Sequence, residues 1–333
     1  MALKIAINGF GRIGRCVARI VATRDDVELV AINDMASMDM MLYLLKNDSV
    51  HGTFNGVVEQ IDENHINIAG QNVRVFSDRD PKNLKFADHG ADMVLECTGV
   101  FLTQESAKIH ISNGVEKVLF SAPSKDKETA TFVMGVNEHL YAGQKIVSNA
   151  SCTTNCLGPI AKVLDDAFGI EKGLMTTIHS YTNDQNILDV KHSSDKRRAR
   201  AGAINMIPTT TGAAKAIGLV LPQLLGKLHG QSVRVPTPNV SMVDLNVVVK
   251  RKTTKEEVTK VFNEIANTSL KGILLMDKEM RVSQDFVGCE YSAIVAEDLT
   301  QVVDEDMVKV MAWYDNEWGY SMRLVDMALH ISK

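Results

Sequence analysis

The sequence predicts an α/β fold: a doubly wound parallel sheet joined to an α+β unit with a mostly antiparallel sheet. Three observations carry this. The first half alternates short apolar strands with helical segments. A glycine turn, Gly9-Phe10-Gly11-Arg12-Ile13-Gly14, lies directly between the first strand and the first helix. The second half carries longer strands, and residues 243–249 (VDLNVVV) alternate apolar and polar as a half-covered antiparallel strand does.

Residues 3–8 (LKIAIN) form the first apolar strand. Residues 12–23 then read as a helix, with Ile13, Val17, Ile20 and Val21 on one face. Residues 27–33 (VELVAIN) form a second apolar strand, which ends at Asp34. Strand, glycine turn, helix, strand and terminal acid together make the Rossmann dinucleotide fingerprint in its required context. Gly9 allows the tight turn. Gly11 lets backbone approach a pyrophosphate, and Gly14 lets helix and strand pack closely. Asp34 stands 20 residues after Gly14, where an acid binds the ribose hydroxyls of the adenosine. The same acid would repel a 2′-phosphate, so the expected cofactor is NAD rather than NADP.

A helix at 40–46 follows, then short antiparallel strands at 57–61, 65–69 and 72–76. A buried strand at 92–96 leads into Cys97-Thr98-Gly99. A helix at 104–113 and a strand at 117–120 lead to Ser121. Small residues such as Thr98, Gly99 and Ser121 at the ends of successive parallel strands suit a cofactor crevice, although each is also ordinary loop chemistry.

The stretch at 145–160 (KIVSNASCTTNCLGPI) turns a strand end into a helix. Ser151, Thr153, Thr154 and Asn155 are helix-starting residues, and Ile160, Val163, Leu164, Ala167 and Phe168 continue the apolar face. Cys152 therefore sits at a helix N-terminus. Backbone N–H groups and the helix dipole there are expected to lower its pKa and make it nucleophilic. Ser151 and Thr153 could hold an oxyanion or phosphate beside it. Cys156 is expected to pack one turn along. No Cys or His stands at ligand spacing beside the two, which argues against zinc. The strand at 174–178 ends in His179, followed by a polar loop, the placement expected of a catalytic histidine. Residues 180–202 read as a long loop with a basic run at Lys196, Arg197, Arg198 and Arg200. Thr209-Thr210-Thr211-Gly212 opens a helix at 213–217, a second N-terminus suited to phosphate. A helix at 253–267, a strand at 308–314 and a helix from Trp318 complete the chain.

A chain of 333 residues is long enough for two domains. The net charge of −5, from 36 basic and 41 acidic residues, argues against a general nucleic-acid or membrane surface. No aromatic residues interleave the basic run as nucleic-acid stacking needs. Five scattered cysteines suit a reducing, cytoplasmic setting without disulfides. No apolar run reaches transmembrane length, and the first residues, MALKIAINGFG, have no signal-peptide shape.

Six blocks resemble phosphorylating, glycolytic glyceraldehyde-3-phosphate dehydrogenase: NGFGRIGR (8–15), SNASCTTNCLGP (148–159), HSYTNDQ (179–185), TTTGAAKA (209–216), RVPTPNVS (234–241) and WYDNEWGYS (313–321). They lie in the family's order and span nearly the whole chain. The resemblance implies a cytoplasmic homotetramer of glycolysis and gluconeogenesis, without a metal. It implies an NAD-binding domain at 1–151, with the C-terminal helix at 316–333 packing back on it, and a catalytic domain at 152–315. Cys152 is then the nucleophile and His179 its base. The oxidation of glyceraldehyde 3-phosphate runs through a thiohemiacetal and a thioester, which inorganic phosphate cleaves to 1,3-bisphosphoglycerate. By resemblance, Thr182, Arg198 and Arg234 contact the substrate phosphate. Ser151, Thr153, Thr211 and Gly212 contact inorganic phosphate. Arg12, Ile13, Asp34, Arg79, Ser121, Asn183, Asn316 and Tyr320 serve NAD alongside Gly9, Gly11, Gly14, Thr98 and Gly99. One departure stands out. NAD-preferring relatives often carry Leu-Pro where this chain has Val190-Lys191, and a lysine there could attract a 2′-phosphate. Two rival readings remain: a sister dehydrogenase that oxidises erythrose 4-phosphate with hydrolysis, and a nucleotide-binding or adhesive protein without turnover.

Overall fold

A computed structural model describes residues 2–333. The chain folds as two compact units. One comprises the chain through Phe132, Glu138–Ser151 and Ser321–Lys333; the other comprises Val133–Asn137 and Cys152–Tyr320.

The first unit is built on a nine-stranded sheet. From one edge its strands are Ala130–Thr131, Ile146–Ser148, Lys117–Phe120, Met93–Glu96, Leu3–Asn8, Val27–Asn33, Gln71–Phe76, His65–Ile68 and Val58–Gln60. The first seven are parallel and the last two antiparallel. Chain order reverses on either side of Leu3–Asn8, so a crevice opens at the carboxyl ends of Leu3–Asn8, Val27–Asn33 and Met93–Glu96. The three strands expected at 57–76 are present with shifted ends. Gln71–Phe76 pairs antiparallel with His65–Ile68 but parallel with Val27–Asn33, so it is the hinge between the two pairing styles. Ala69 and Gly70, both at positive φ, make the tight turn that registers Ile68 against Gln71.

The glycine turn behaves as its spacing predicts. Gly9 sits at φ +97°, and a Cβ there would lie 2.7 Å from the Cys97 carbonyl carbon and from Thr98 N. A Cβ on Gly14 would lie 2.3 Å from the Gly9 carbonyl oxygen. The first close approach seats the turn on the chain that leaves Met93–Glu96, and the second seats helix Arg12–Val21 on the turn after the first strand. The C-terminal segment is anchored on this unit by three polar contacts. Lys117 Nζ donates to the Ile331 carbonyl, His330 Nε2 meets the Glu138 carbonyl at 3.0 Å, and Arg24 pairs with Asp326 at 3.4 Å.

The second unit carries an eight-stranded, mostly antiparallel sheet: Ile207–Thr210, Leu228–Val235, Ile170–Ser180, Ser241–Val249, Met307–Tyr314, Ala293–Ala296 and Leu274–Asp277, with Gln301–Val303 beside Met307–Tyr314. Ile170–Ser180 starts four residues before the strand expected at 174–178. Its polar start, Glu171-Lys172-Gly173, is carried by pairing with Ser241–Val249, and Leu228–Val235 joins on the other side from Gly173 onward, despite the weak strand character of these residues. Helix Cys152–Phe168 is buried along most of its length and packs on this sheet. Cys156 is fully buried, one turn along, with Sγ 3.9 Å from the Ala312 carbonyl oxygen. Residues 181–201 carry no regular element. Among the described residues, no helix is long and apolar enough to cross a membrane.

Candidate active site and dinucleotide cleft

In the second unit, parallel pairing of Ile170–Ser180 with Leu228–Val235 places His179 directly opposite Arg234. Helix Cys152–Phe168 begins at Cys152 itself. Its Sγ lies 3.6 Å from His179 Nε2. On the far side of the ring, Nδ1 is 2.7 Å from the Ser180 carbonyl oxygen and 2.7 Å from Arg234 Nη1. With its proton on Nδ1, the ring donates to Ser180 and leaves Nε2 able to take the thiol proton. With the proton on Nε2, Nδ1 accepts from Arg234.

Burial first, and then the Arg234 guanidinium, push His179 down to about 3. Burial pushes the Cys152 thiol up, while Arg234 and Thr153 pull it down. This corrects the expectation of a thiol lowered by its helix start: desolvation outweighs the helix N-terminus. His179 Nε2, 3.6 Å from the sulfur, stands where it can take the thiol proton. Arg234 is itself lowered, mainly by burial, and the Cys152 sulfur and then the Tyr314 hydroxyl oppose that shift. The charge of Arg198 adds to the lowering, so the two cations share one neighbourhood.

Behind the nucleophile, the buried Tyr314 hydroxyl lies 2.9 Å from Thr153 Oγ1 and 2.8 Å from Thr177 Oγ1. Thr153 is thus held from the sheet. Arg198 ties its loop to the edge strand Ile207–Thr210: Nη1 donates to Asp184 at 2.8 Å within the loop, Nε to Thr209 Oγ1 at 2.9 Å and Nη2 to the Thr210 carbonyl at 3.2 Å on the strand. Thr182 Oγ1 accepts from Asp184 N at 3.4 Å. Thr211 Oγ1 accepts from Ala213 N at 3.2 Å, and Gly212 caps helix Ala213–Val220, which packs against the Cys152 helix. Asn183 is exposed on the loop. Asn316 is fixed by a chain of donors: Ser180 N donates to Ser241 Oγ at 3.0 Å, and Ser241 Oγ donates to Asn316 Oδ1 at 2.7 Å. Tyr320 is buried, and its N–H donates to the Asp315 carbonyl at 3.3 Å.

In the first unit, a cleft of about 470 Å³ is lined by Gly9, Gly11, Asp34, Arg79 and Thr98, and by Asn8, Asn33, Asp78, Phe101 and their neighbours. A Cβ at Gly11 would meet no protein atom, so its face is open. The Asp34 carboxylate accepts from Phe10 N at 2.7 Å and from Ala36 N at 2.8 Å, which aims it at the cleft from a fixed position. Gly14, Ile13, Arg12, Gly99 and Ser121 are not among the residues that line it. Gly14 serves packing. The Arg12 side chain is drawn to Asp48, with contacts of 2.6 and 3.2 Å. Ser121 N donates to the Glu96 carbonyl. Ser151 ends the first unit's chain segment.

Residue reading missed Asn8, Asn33 and Glu96 beside the cleft, and Tyr314, Thr177 and Ser241 behind the Cys–His pair. The sequence held one signal: two neighbouring apolar strands both end in asparagine, a residue that strands disfavour.

Two family models match the chain. One described as the NAD binding domain of glyceraldehyde 3-phosphate dehydrogenase matches residues 3–104, and one described as the C-terminal domain matches residues 151–316. The chain is 52% identical over 330 residues to glyceraldehyde-3-phosphate dehydrogenase 2 of Nostoc sp. (strain PCC 7120 / SAG 25.82 / UTEX 2576), covering 98% of this chain and 97% of that one. It is 50% identical over 335 residues to glyceraldehyde-3-phosphate dehydrogenase 1 of Bacillus subtilis (strain 168), covering 100% and 99%. The chloroplastic enzyme A of Chlamydomonas reinhardtii is 52% identical over 98% of this chain and 88% of that one. With a Cys–His pair at 3.6 Å, a glycine-turn cleft and matches along the whole length, the chain belongs to the glyceraldehyde-3-phosphate dehydrogenase family.

Proposed function

We propose that the chain oxidises glyceraldehyde 3-phosphate with NAD and inorganic phosphate to 1,3-bisphosphoglycerate, with Cys152 as covalent nucleophile and His179 as its base. The observation that carries this is the 3.6 Å approach of Cys152 Sγ to His179 Nε2 in a chain of this family. His179 takes the thiol proton, and the sulfur attacks the aldehyde carbon. His179 returns that proton to the carbonyl oxygen, which gives the thiohemiacetal hydroxyl and restores the base, and takes it again as hydride departs, leaving a Cys152 thioester. Bound NAD supplies the hydride acceptor. Phosphate oxygen then attacks the thioester carbon and the Cys152 thiolate leaves. The Cys152 backbone N–H and protonated His179 hold the oxyanion.

Arg234 and Arg198 draw the substrate phosphate, with Thr182 beside them. Thr153, Thr211, Gly212 and Ser151 take inorganic phosphate. Asp34, Arg79, Thr98 and the glycine turn hold the adenosine half of NAD, while Asn316, Asn183 and Tyr320 serve its nicotinamide half. The first unit thereby acts as the NAD-binding domain and the second as the catalytic one. We read the protein as a cytoplasmic homotetramer. The loop from 181 to 206 leaves Ile187 84%, Leu188 75%, Ile204 79% and Met206 75% exposed, which suits burial against another subunit.

Purified protein with glyceraldehyde 3-phosphate should reduce NAD only when phosphate is present. Reduction independent of phosphate would favour the hydrolysing erythrose 4-phosphate reading instead. Equal rates with NADP would show that Lys191 overrides Asp34. Absence of reduction with either cofactor would leave a binding protein.

A further inference from the structure

Beneath the dinucleotide cleft runs a buried polar spine that links four strand ends. Glu96, at the end of Met93–Glu96, is fully buried. One carboxylate oxygen accepts from Asn8 Nδ2 at 2.7 Å. The other accepts from Thr98 N at 2.8 Å and from the Thr98 hydroxyl. Asn8 Oδ1 accepts from Asn33 Nδ2 at 2.8 Å. Asn33 in turn is clamped by Asp78: its Nδ2 donates to the Asp78 carbonyl and its Oδ1 accepts from Asp78 N, both at 3.0 Å. Asn8, Asn33, Asp78 and Thr98 line the cleft; Glu96 does not.

An asparagine amide fits its site nearly as well when flipped, so something must choose its orientation. Here both ends choose. The Asp78 backbone N–H demands an oxygen from Asn33, and that turns the Asn33 Nδ2 toward Asn8. The Glu96 carboxylate, an acceptor only, demands the Asn8 Nδ2. Every member then has a matched partner, and the loops carrying Asp78–Arg79 and Thr98–Phe101 are tied to one another across the sheet edge.

We propose that Glu96 is a positioning residue for NAD: it never meets the cofactor, and it sets the two loops and two asparagines that do. The proposal rests on the reading of this cleft as the NAD site. Glu96→Gln keeps shape and size but introduces a donor. Placed toward Thr98, the new NH2 faces a backbone N–H. Placed toward Asn8, it faces a donor, and flipping Asn8 and then Asn33 only moves the conflict to Asp78 N. Buried His110 Nε2, 3.7 Å from the Glu96 oxygen that meets Asn8, is beyond hydrogen-bond reach, so one buried mismatch remains within this chain of partners. Adding Asn8→Asp removes it. The introduced amide can then donate to the introduced carboxylate, which still accepts from Asn33, and the net charge returns to that of the parent.

The test is calorimetric titration of NAD into the full chain without aldehyde, alongside iodoacetamide alkylation of Cys152 in the cofactor-free protein. For Glu96→Gln the dissociation constant for NAD should rise about tenfold or more, as expected for one unmatched buried donor, with the alkylation rate unchanged. The Glu96→Gln/Asn8→Asp double variant should bind NAD more tightly than the single variant. A single variant within twofold of the parent, or a double variant no tighter than the single, would overturn the proposal. So would loss of alkylation along with binding. If the single variant does not fold, the double variant must fold and bind NAD for the proposal to stand. A parent protein that binds no NAD would instead overturn the reading of the cleft.

Discussion

His179→Asn removes an imidazole that the fold holds neutral. The residue is 5% exposed, and burial, followed by Arg234, brings it from an ordinary 6.5 down to about 3. Between those values the unfolded chain binds a proton that the native site refuses. The stability from this group is therefore whole above about pH 6.5 and is lost as pH falls toward 3. By pH 5 the loss is about 2 kcal/mol, at about 1.4 kcal/mol for each pH unit below 6.5. Urea unfolding of parent and variant at pH 7 and pH 5 isolates it, because the truncation cost is the same at both pH values and cancels. The parent should lose about 2 kcal/mol more than the variant over that interval. Equal losses would mean that the native imidazole titrates normally, and the account of a neutral base set by burial and Arg234 would fail. The same neutral base predicts that alkylation of Cys152 near pH 7 slows in the variant, since no group remains to take the thiol proton.

Cys152→Ser should abolish aldehyde oxidation while leaving NAD titration unchanged; residual turnover near the parent rate would refute covalent catalysis. Gly14→Ala would put a methyl 2.3 Å from the Gly9 carbonyl oxygen, so the helix must shift. We expect a loss of about 1–3 kcal/mol in urea unfolding, together with weaker NAD binding by calorimetry. Tyr314→Phe leaves the Thr153 and Thr177 hydroxyls without their shared partner. A stability loss of about 1–3 kcal/mol is expected from chemical denaturation, with slower alkylation of Cys152 if Thr153 moves. Asp34→Ala should raise the dissociation constant for NAD and narrow the gap to NADP, a ratio read directly by titrating both.

What the chain revealed before folding was what local chemistry decides. Strands that are mostly apolar, such as 3–8 and 117–120, settle into buried parallel positions, with Lys4 and Lys117 at or near their starts. Gly14 is demanded by the Gly9 carbonyl five residues before it, and Gly9 shows locally as a turn glycine, although the backbone it makes room for, Cys97–Thr98, is far along the chain. Cys152 stood at a strand-to-helix turn that could be read from its neighbours, and His179 at a strand end. The relations that spacing cannot encode were missed. Arg234 meets His179 only because two strands 55 residues apart pair in one register. Arg12 turns to Asp48 because of a hairpin and helix that bring that acid round. The thiol's upward shift was missed for the same reason: the helix N-terminus is visible in sequence, whereas the desolvation that outweighs it comes from the whole sheet.

Ser241 shows how far a residue outside the reaction can govern it. A serine hydroxyl has one proton to give. Because Ser180 N already donates to Ser241 Oγ, that proton is committed to Asn316 Oδ1, and the Asn316 NH2 must then point away from Ser241. The orientation of an amide proposed to serve the nicotinamide is thus set by the backbone beside the catalytic histidine. Both ends of that chain are buried, so bulk water does not stand in for a lost partner. Ser241→Ala should free the amide to flip and leave the Ser180 N–H unmatched. Turnover should fall while Cys152 alkylation stays at the parent rate, because the Cys–His pair does not draw on Ser241. Stereochemistry supplies the sharper readout. If Asn316 fixes one face of the ring, the deuterium transferred from a C1-deuterated aldehyde should appear on one face of NADH with the parent and be partly scrambled with the variant. Unchanged turnover and unchanged stereochemistry in the variant would show that Asn316 is held by something other than this hydroxyl.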